Sequence, residues 1–390
     1  MRLERALSKT DQILLIAGEK SGEEHALSFV PELMKQHPHA HFFGVGGDEL
    51  SAKGMELLYH LKDFSSWGFT EVIGKIPFYF NALKKIEAEV EKRNAKIAIL
   101  IDFQDFNMRL AKKLSKKGVK VLYYVAPQAW AWKAWRAKVL EECTHTLFTI
   151  IPFEEKWFKD RGVKRVSGIS HPLWYHYHQR ISDQKLDQTA KPFEKFKESV
   201  NLLLLPGSRN FEVSGLLSEY FEAIDILKND YNLKISMVRS SNVNEKIYEP
   251  WLDKVDKIFE NEELAHALEE ADFAFAASGT VTLTCAIFQV PSVVAYKSSL
   301  LNVFIYYTFI NYDGPISLAN IVHEKVIFPE LTHNLATGYN LANSLKQWLT
   351  SRDNYETIKT ELKKTIHLID RSGSDIPGQM GEVIKECYGQ

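Results

Sequence analysis

Cysteine is scarce in this sequence: Cys143, Cys285 and Cys387 lie far apart, and their number is odd. No disulfide framework or cysteine-rich zinc site can be built from them, which points to a reducing compartment. An excess of either charge is also missing. Forty-eight Lys and Arg stand against 50 Asp and Glu, a formal net charge of -2. That excludes a globally basic footprint for nucleic acid. No apolar run reaches the roughly 20 residues of a membrane span. The longest, Leu300–Ile310, is shorter and is interrupted by Asn302. The short apolar run near the basic N-terminus has neither the length nor the cleavage site of a secretory signal and reads as a first strand. The expected compartment is the cytoplasm, with attachment to a membrane surface left open. Short-period repeats, low-complexity tracts and long charge runs are absent too.

What is present is the composition of a folded protein: 45% hydrophobic and 25% charged residues over 390 positions. That length suggests two domains. The chain alternates continuous apolar runs with helical patterns. Gln12–Ala17, Lys96–Ile101, Val119–Val125 and His145–Ile150 are runs of this kind, and the helical patterns Asn81–Arg93 and Met108–Lys117 fall between them. Continuous rather than alternating apolarity marks strands buried on both faces, as in a parallel sheet. The polar stretch 181–199, with Pro192, reads as a linker. The theme then restarts with Asn201–Leu205, Lys234–Val238, Asp272–Ala276 and Ser292–Tyr296. The expected fold is α/β, with two doubly wound Rossmann-like domains, 1–180 and 200–345, followed by amphipathic helices over 346–390.

In open α/β sheets, ligands sit beyond the carboxyl ends of the strands, so the loops there are the candidates. Ala17–Glu23 follows the first strand and opens a helix, and its two glycines permit close approach to an anion. It is neither a dinucleotide fingerprint nor a P-loop, and a tight turn capped by Ser21 explains it equally well. Ile101–Asn107 places two carboxylates among aromatics at a strand end. Asp105 suits a helix cap, whereas Asp102 lies before the turn, where a raised pKa would make it a base. Leu205–Glu212 offers backbone amides at Gly207 and Ser208 and a guanidinium at Arg209 for a diphosphate, against a bland Arg209–Glu212 surface pair. Ala277–Leu283, with Ser278, Gly279 and Thr280, suits a phosphate or ribose, with simple capping as the alternative.

Two aromatic stretches stand out. Trp130, Trp132 and Trp135 are interleaved with Lys133, Arg136 and Lys138. They suit a sugar or acyl platform or a membrane-facing lip, with part of the cluster in the core. Trp67–Phe80 is apolar and punctuated by Gly68, Gly74 and Pro77. It reads as an acyl or bilayer contact or as a core helix broken by proline. His37, His39 and His41, and His176 with His178, alternate as on one strand face. No carboxylate or cysteine partner has metal-site spacing, so a solvated surface is the reading for them.

Taken in order, these loops resemble the lipid-A-disaccharide synthase family over Ile13 to about Leu331. Ala17–Glu23 resembles the family's A-G-E-x-S-G-D, and Gly44–Gly47 its G-x-G-G. Trp67–Gly74 is similar to M-G-x-x-E-V-[LI]-G, Ile101–Asn107 to I-D-x-P-D-F-N, and Tyr124–Trp132 to Y-V-x-P-x-x-W-A-W. Leu205–Glu212 resembles L-P-G-S-R-x-x-E, Ala277–Leu283 resembles A-S-G-T-x-x-L, and Ser317–Glu330 resembles S-L-P-N followed by P-E-L. The resemblance implies a GT-B glycosyltransferase with two facing Rossmann-like domains and an interdomain cleft. It would move 2,3-diacylglucosamine from its UDP conjugate to 2,3-diacylglucosamine 1-phosphate, without cofactor or metal. It further implies Asp102 as the base on the acceptor 6-hydroxyl. Gly207, Ser208, Arg209, Ser278, Gly279, Thr280 and Asn320 would hold the nucleotide and diphosphate. Ser21, Gly22 and Glu23 would line the acceptor side, and Trp67, Phe69, Val72, Ile73 and Phe78 would meet membrane or acyl chains. The implied setting is the inner face of the cytoplasmic membrane, peripherally bound, as a homodimer in which the C-terminal helices pack on the N-terminal domain or on a partner subunit.

Five positions depart from the family pattern. Thr284 replaces a glutamate, Glu23 an aspartate, Gln104 and Ala319 prolines, and Ser170 a glycine. A carboxylate accepts from both ribose hydroxyls, whereas threonine is short and neutral. Thr284 therefore keeps two alternatives open: a GT-B enzyme with another donor or acceptor, and a non-catalytic lipid- or nucleotide-binding relative.

Overall fold

The computed structural model describes residues 11–64, 69–183, 192–297, 312, 314–371 and 373–389. The chain divides into two compact units, Met1–His176 with Asp370–Gln390, and Tyr177–Ile369.

The first unit is built on a parallel sheet of seven strands in the order β3-β2-β1-β4-β5-β6-β7. These are β1 Asp11–Ala17, β2 Ala40–Gly46, β3 Glu56–His60, β4 Ile97–Ile101, β5 Lys120–Tyr124, β6 Thr146–Thr149 and β7 Val166–Gly168. Side chains alternate across a strand, so a strand buried on both faces feeds two cores. Leu14, Ile16, Ala98, Leu100 and Tyr123 join one core, with Leu83, Ile86, Leu110 and Phe158 from the helices above. Ile13, Leu15, Ile99, Ile101 and Tyr124 join the other, with Phe29, Leu33, Met380 and Ile384. The last two residues belong to the terminal helix Ile376–Tyr388, which packs on the helix Val30–Gln36. Tyr388 seals this return by donating its hydroxyl hydrogen to the Gln12 carbonyl, 2.5 Å away.

The second unit repeats the plan with six parallel strands in the order β10-β9-β8-β11-β12-β13. They are β8 Val200–Leu205, β9 Leu233–Arg239, β10 Lys257–Glu260, β11 Phe273–Ala277, β12 Ser292–Tyr296 and β13 Glu330–Thr332. No helix among the described residues is long and apolar enough to cross a membrane.

Three sequence readings need correction. The boundary read at 181–199 differs from the division at His176 and Tyr177, which falls inside the helix Pro172–Asp183. The short helix Phe193–Lys197 lies in the second unit, where buried Phe196 packs on Phe273 and Tyr355. The terminal helices expected as one block over 346–390 also divide, at Ile369 and Asp370. The histidines do not share strand faces. His37 is buried at the end of the helix Val30–Gln36, His39 lies in a turn, and only His41 is in β2. Pro38 separates helix from strand, and His176 and His178 lie in the helix Pro172–Asp183.

Candidate functional site

At the carboxyl edge of the first sheet, β1 runs into Gly18-Glu19 and β4 into Asp102-Phe103. Gly18 must be small, because a Cβ there would stand 2.8 Å from the Phe103 ring. Asp102 and Phe103 both adopt left-handed backbone, with φ 45 and 43. Such a conformation costs a residue with a Cβ roughly 1–2 kcal/mol, so it persists only where the surroundings enforce it. Here they do. The Asp102 amide donates to the Tyr124 carbonyl at 2.9 Å. The Asp102 carbonyl accepts from the Tyr123 hydroxyl at 3.0 Å and from Asn107 Nδ2 at 2.9 Å. Asn107 also reaches the Ile101 carbonyl at 3.0 Å. The turn is therefore held by neighbours on β5 and on the helix Gln104–Ser115. Its carboxyl is pushed up to about 6, first by burial and then by the charge of Glu19. A carboxyl poised there can take a proton near neutral pH.

Two cavities adjoin at this turn. A polar one of about 370 Å³ is lined by Glu19 and the residues 102–106. An apolar one of about 520 Å³ is walled by Ile76, Tyr79, Phe80, Leu83, Phe103 and Phe106. Glu19, Asp105 and Arg109 provide the polar part of its lining. Asp105 pairs with Arg136, which also binds Gln104 Oε1 at 2.8 Å. Thus Gln104, where the family pattern has proline, anchors the start of the helix to a buried guanidinium.

The helix Phe69–Lys92 supplies the apolar wall and runs through Pro77. Trp67 lies outside the described residues, as do the side chains of Phe69, Val72 and Ile73. Phe78 turns inward, with its ring centroid 5.2 Å from that of Phe64 and 5.7 Å from that of Tyr59. Ile76 and Phe80 are instead exposed, and the sequence reading had not singled them out. Of the three tryptophans, Trp130 is tied down, donating from Nε1 to Glu154 Oε1 at 2.9 Å. Burial pushes the Glu154 carboxyl up to about 7. Trp132 and Trp135 are exposed, with Lys133 Nζ 3.6 Å over the Trp132 ring.

The expected acceptor-side trio separates. Ser21 is exposed and Gly22 lies against Ala17. Glu23 is buried and accepts from the Leu50 amide at 3.1 Å. Its carboxylate fastens the first loop to the Gly46–Gly47 turn, where a Cβ on Gly47 would meet Glu23 Oε2 at 2.4 Å.

In the second unit, β8 and β11 are parallel neighbours, so their following loops emerge side by side. Gly207 has φ +106, and a Cβ there would stand 2.2 Å from Glu212 Oε2. The Ser208 amide points to that carboxylate at 3.4 Å. Arg209 is the exposed cap residue of the helix Asn210–Leu227. Gly279 has φ +132 and opens the helix Thr280–Ile287. The loops bring Gly207, Ser208, Arg209, Ser278, Gly279 and Thr280 to one sheet edge, with backbone amides and a cation suited to an anion. Asn320 belongs to a different arrangement. Its Nδ2 donates to the Phe328 carbonyl and Glu330 Oε1 at 2.8 and 2.7 Å. Its Oδ1 accepts from the Ile327 and Phe328 amides, both at 2.9 Å. The amide group has two donors and two lone pairs. All four are used, so its side chain braces 327–330. Ala319, at the other proline position of the family, donates its amide to Thr282 Oγ1 at 3.3 Å, a bond proline cannot make. Thr284 is buried with its hydroxyl over the Thr280 carbonyl at 3.5 Å.

Among the described residues, no three His, Cys, Asp or Glu side chains converge as metal ligands. Glu19, Ile76, Phe80, Arg109 and Phe103 are the residues that sequence reasoning missed. Glu19 and Phe103 sat inside motifs already noticed, but only the fold shows that both face the Asp102 carboxyl.

The sequence profile of a family described as lipid-A-disaccharide synthetase matches residues 13–383. A lipid-A-disaccharide synthase of Syntrophus aciditrophicus is 32% identical over 371 residues, 94% of each chain. One from Francisella philomiragia is 31% identical and covers 90% of this chain and 93% of its own. Among solved structures, the glycotransferase of kitacinnamycin superposes with a TM-score of 0.60 at 12% identity, covering 97% of this chain and 99% of its own. The UDP-GlcNAc 2-epimerase of Neisseria meningitidis, bound to UDP-GlcNAc, gives 0.56 at 10%, covering 96% and 98%. At such identities these two show the fold alone, that of the GT-B class.

Proposed function

The chain belongs to the lipid-A-disaccharide synthetase family, and from that premise we propose that it is the glycosyltransferase that joins two acylated glucosamines. The donor is UDP-2,3-diacylglucosamine and the acceptor is 2,3-diacylglucosamine 1-phosphate. The acceptor 6-hydroxyl gives its proton to Asp102 as its oxygen bonds to the anomeric carbon of the donor. The bond from that carbon to the diphosphate breaks, and UDP leaves with the electron pair. The first unit takes the acceptor, its hydroxyl in the polar cavity and an acyl chain in the apolar one. The second unit takes the donor diphosphate at the loops of Gly207, Ser208 and Gly279, with Arg209 meeting the charge that develops on UDP.

The observation that supports this best is that the two cavities share a wall. Glu19, Phe103, Asp105 and Phe106 line both, and the weakly acidic Asp102 carboxyl lines the polar one. That is what an acylated sugar with one reactive hydroxyl needs. Both substrates reach the enzyme at the inner face of the cytoplasmic membrane. The exposed Ile76, Phe80, Trp132 and Trp135 on the same unit suit that surface. A homodimer belongs to the same reading, and light scattering tests it.

The functional test is turnover of the two lipids followed by mass spectrometry, for wild type, Asp102→Asn and Thr284→Glu. Disaccharide 1-phosphate from wild type, lost in Asp102→Asn, is the expected result. Product only after Thr284→Glu would mean a donor site altered at that position. No product from any of the three would assign the fold to another donor and acceptor.

A further inference from the structure

We propose that Arg109 binds the anomeric phosphate of the lipid acceptor and so sets the enzyme's preference for a phosphorylated acylated sugar. This rests on the acceptor reading above. Arg109 stands outside every loop motif, on the second turn of the helix Gln104–Ser115.

The first observation is that this cation is uncommitted. Arg109 is exposed, lines the apolar cavity, and makes no ion pair among the described residues. On a helix its natural partner is the carboxylate four positions before it. That residue is Asp105, which is engaged by Arg136. Arg136 is buried, only 2% exposed, and also holds Gln104, so the pairing is part of the packing. The fold thus engages the one carboxylate at helical spacing before Arg109.

The second observation is the set of groups around the cavities. Asp102 lines the polar one, Arg109 the apolar one, and Glu19 both. At a rise of roughly 1.5 Å per residue, Arg109 lies about 7.5 Å further along the axis from the helix start at Gln104. Aromatic and aliphatic walls of Ile76, Phe80, Leu83 and Phe106 flank the space. The two adjoining cavities therefore present a proton acceptor, an apolar slot and a cation together. A 2,3-diacylglucosamine 1-phosphate carries a group for each: a reactive hydroxyl on carbon 6, acyl chains on carbons 2 and 3, and a phosphate on carbon 1, which is joined through the ring oxygen to the carbon that bears carbon 6.

A guanidinium can hold two phosphate oxygens at once, which a point charge cannot. An acyl chain seated beside it displaces water and strengthens that contact. The negative charges of Glu19 and Asp102 disfavour a phosphate beside Asp102, so the same electrostatics favour the acceptor with its hydroxyl at the base.

The test compares two acceptors, 2,3-diacylglucosamine 1-phosphate and the methyl glycoside of the same diacyl sugar, with wild type, Arg109→Ala and Arg109→Lys. For the phosphorylated acceptor, Arg109→Ala should raise KM about 10- to 100-fold, the loss of one charge-assisted contact. KM for the UDP donor should stay at the wild-type value, and the methyl glycoside should be used equally by wild type and variant. Arg109→Lys should recover part of the loss. An equal change for both acceptors, or no change for either, overturns the assignment. Quenching of tryptophan fluorescence by the phosphorylated lipid gives a readout without turnover. Arg109-dependent binding in a wild-type protein that makes no disaccharide would sustain the phosphate contact and sink the transferase reading. Turnover with no Arg109 dependence would do the reverse.

Discussion

Replacing Asp102 with asparagine should inactivate the protein and at the same time make it more stable. The carboxyl is raised from 3.8 to about 6, chiefly by burial. In the unfolded chain it returns to about 3.9. A shift of about two units corresponds to about 3 kcal/mol between the protonation states. The sign follows from the direction. A raised carboxyl binds its proton more tightly in the folded state, so the folded protein is favoured at low pH. That advantage is lost as pH climbs from about 4 through about 6. Above pH 6 the wild type bears the full cost of a desolvated carboxylate. Asparagine has the same shape, carries no charge, and tolerates left-handed backbone better than most residues. Thermal unfolding of Asp102→Asn should therefore occur several degrees above wild type at pH 8, with the gap closing towards pH 4. Turnover should fall about 10²- to 10⁴-fold, the usual share of a general base. In wild type, kcat/KM should drop tenfold per pH unit below about 6 and be level above it. A variant less stable than wild type at pH 8 would mean that the backbone hydrogen bond from Phe103 outweighs the cost of burial, and the burial argument would fail. Retained turnover would mean that another group takes the proton.

Three further perturbations probe the surroundings. Glu19→Gln removes the second cause of the Asp102 shift, so the acid limb of the pH–rate profile should move to lower pH yet stay above the ordinary carboxylate range, because burial is the larger cause; an unmoved limb would refute the coupling. Asn320→Ala strands the amides of Ile327 and Phe328 and a Phe328 carbonyl in a buried place. It should cost about 3 kcal/mol or more in denaturant unfolding, and a stable variant that has merely lost UDP affinity would contradict the bracing role. Gly207→Ala places a Cβ against Glu212 on a left-handed backbone. UDP affinity by calorimetry should fall and stability drop by about 1–2 kcal/mol, whereas a neutral outcome would show that the loop can relax.

Much of the architecture was legible because its signals are local. The run Gln12–Ala17 is apolar at every position after its first, since β1 serves a core on each face, and no partner needs to be known to see that. The turns at Gly18, Gly207 and Gly279 declared themselves because a strand ending in glycine before a helical pattern has few other uses. Asp102 stood out because it precedes the helix it would otherwise cap. The alternation of His37, His39 and His41 misled because a helix ends at Gln36 and a strand begins at Ala40, with Pro38 in the turn between them. Phe78 was read as a membrane or acyl contact, and Ile76 and Phe80 were missed, because the rotation of the helix Phe69–Lys92 is set by Phe64, Tyr59 and Phe106 packing on it. No window of sequence contains all of those contacts.

The sequence by itself determined the strand–helix alternation, the two parallel sheets, the glycine turns after the strands and the place of Asp102 at a strand end ahead of a helix. Each of these follows from residue type and spacing within a turn or two. Tertiary structure decided which charges are free and which are engaged. Arg136 takes Asp105 and leaves Arg109 open, Asn320 spends all its hydrogen bonds on the chain that returns at 327–330, and Glu23 is turned to the amide of Leu50. Those outcomes depend on partners tens of residues away or on the satisfaction of buried polar groups. Both are properties of the packed molecule, in which a group's chemistry is set by what the fold has brought beside it.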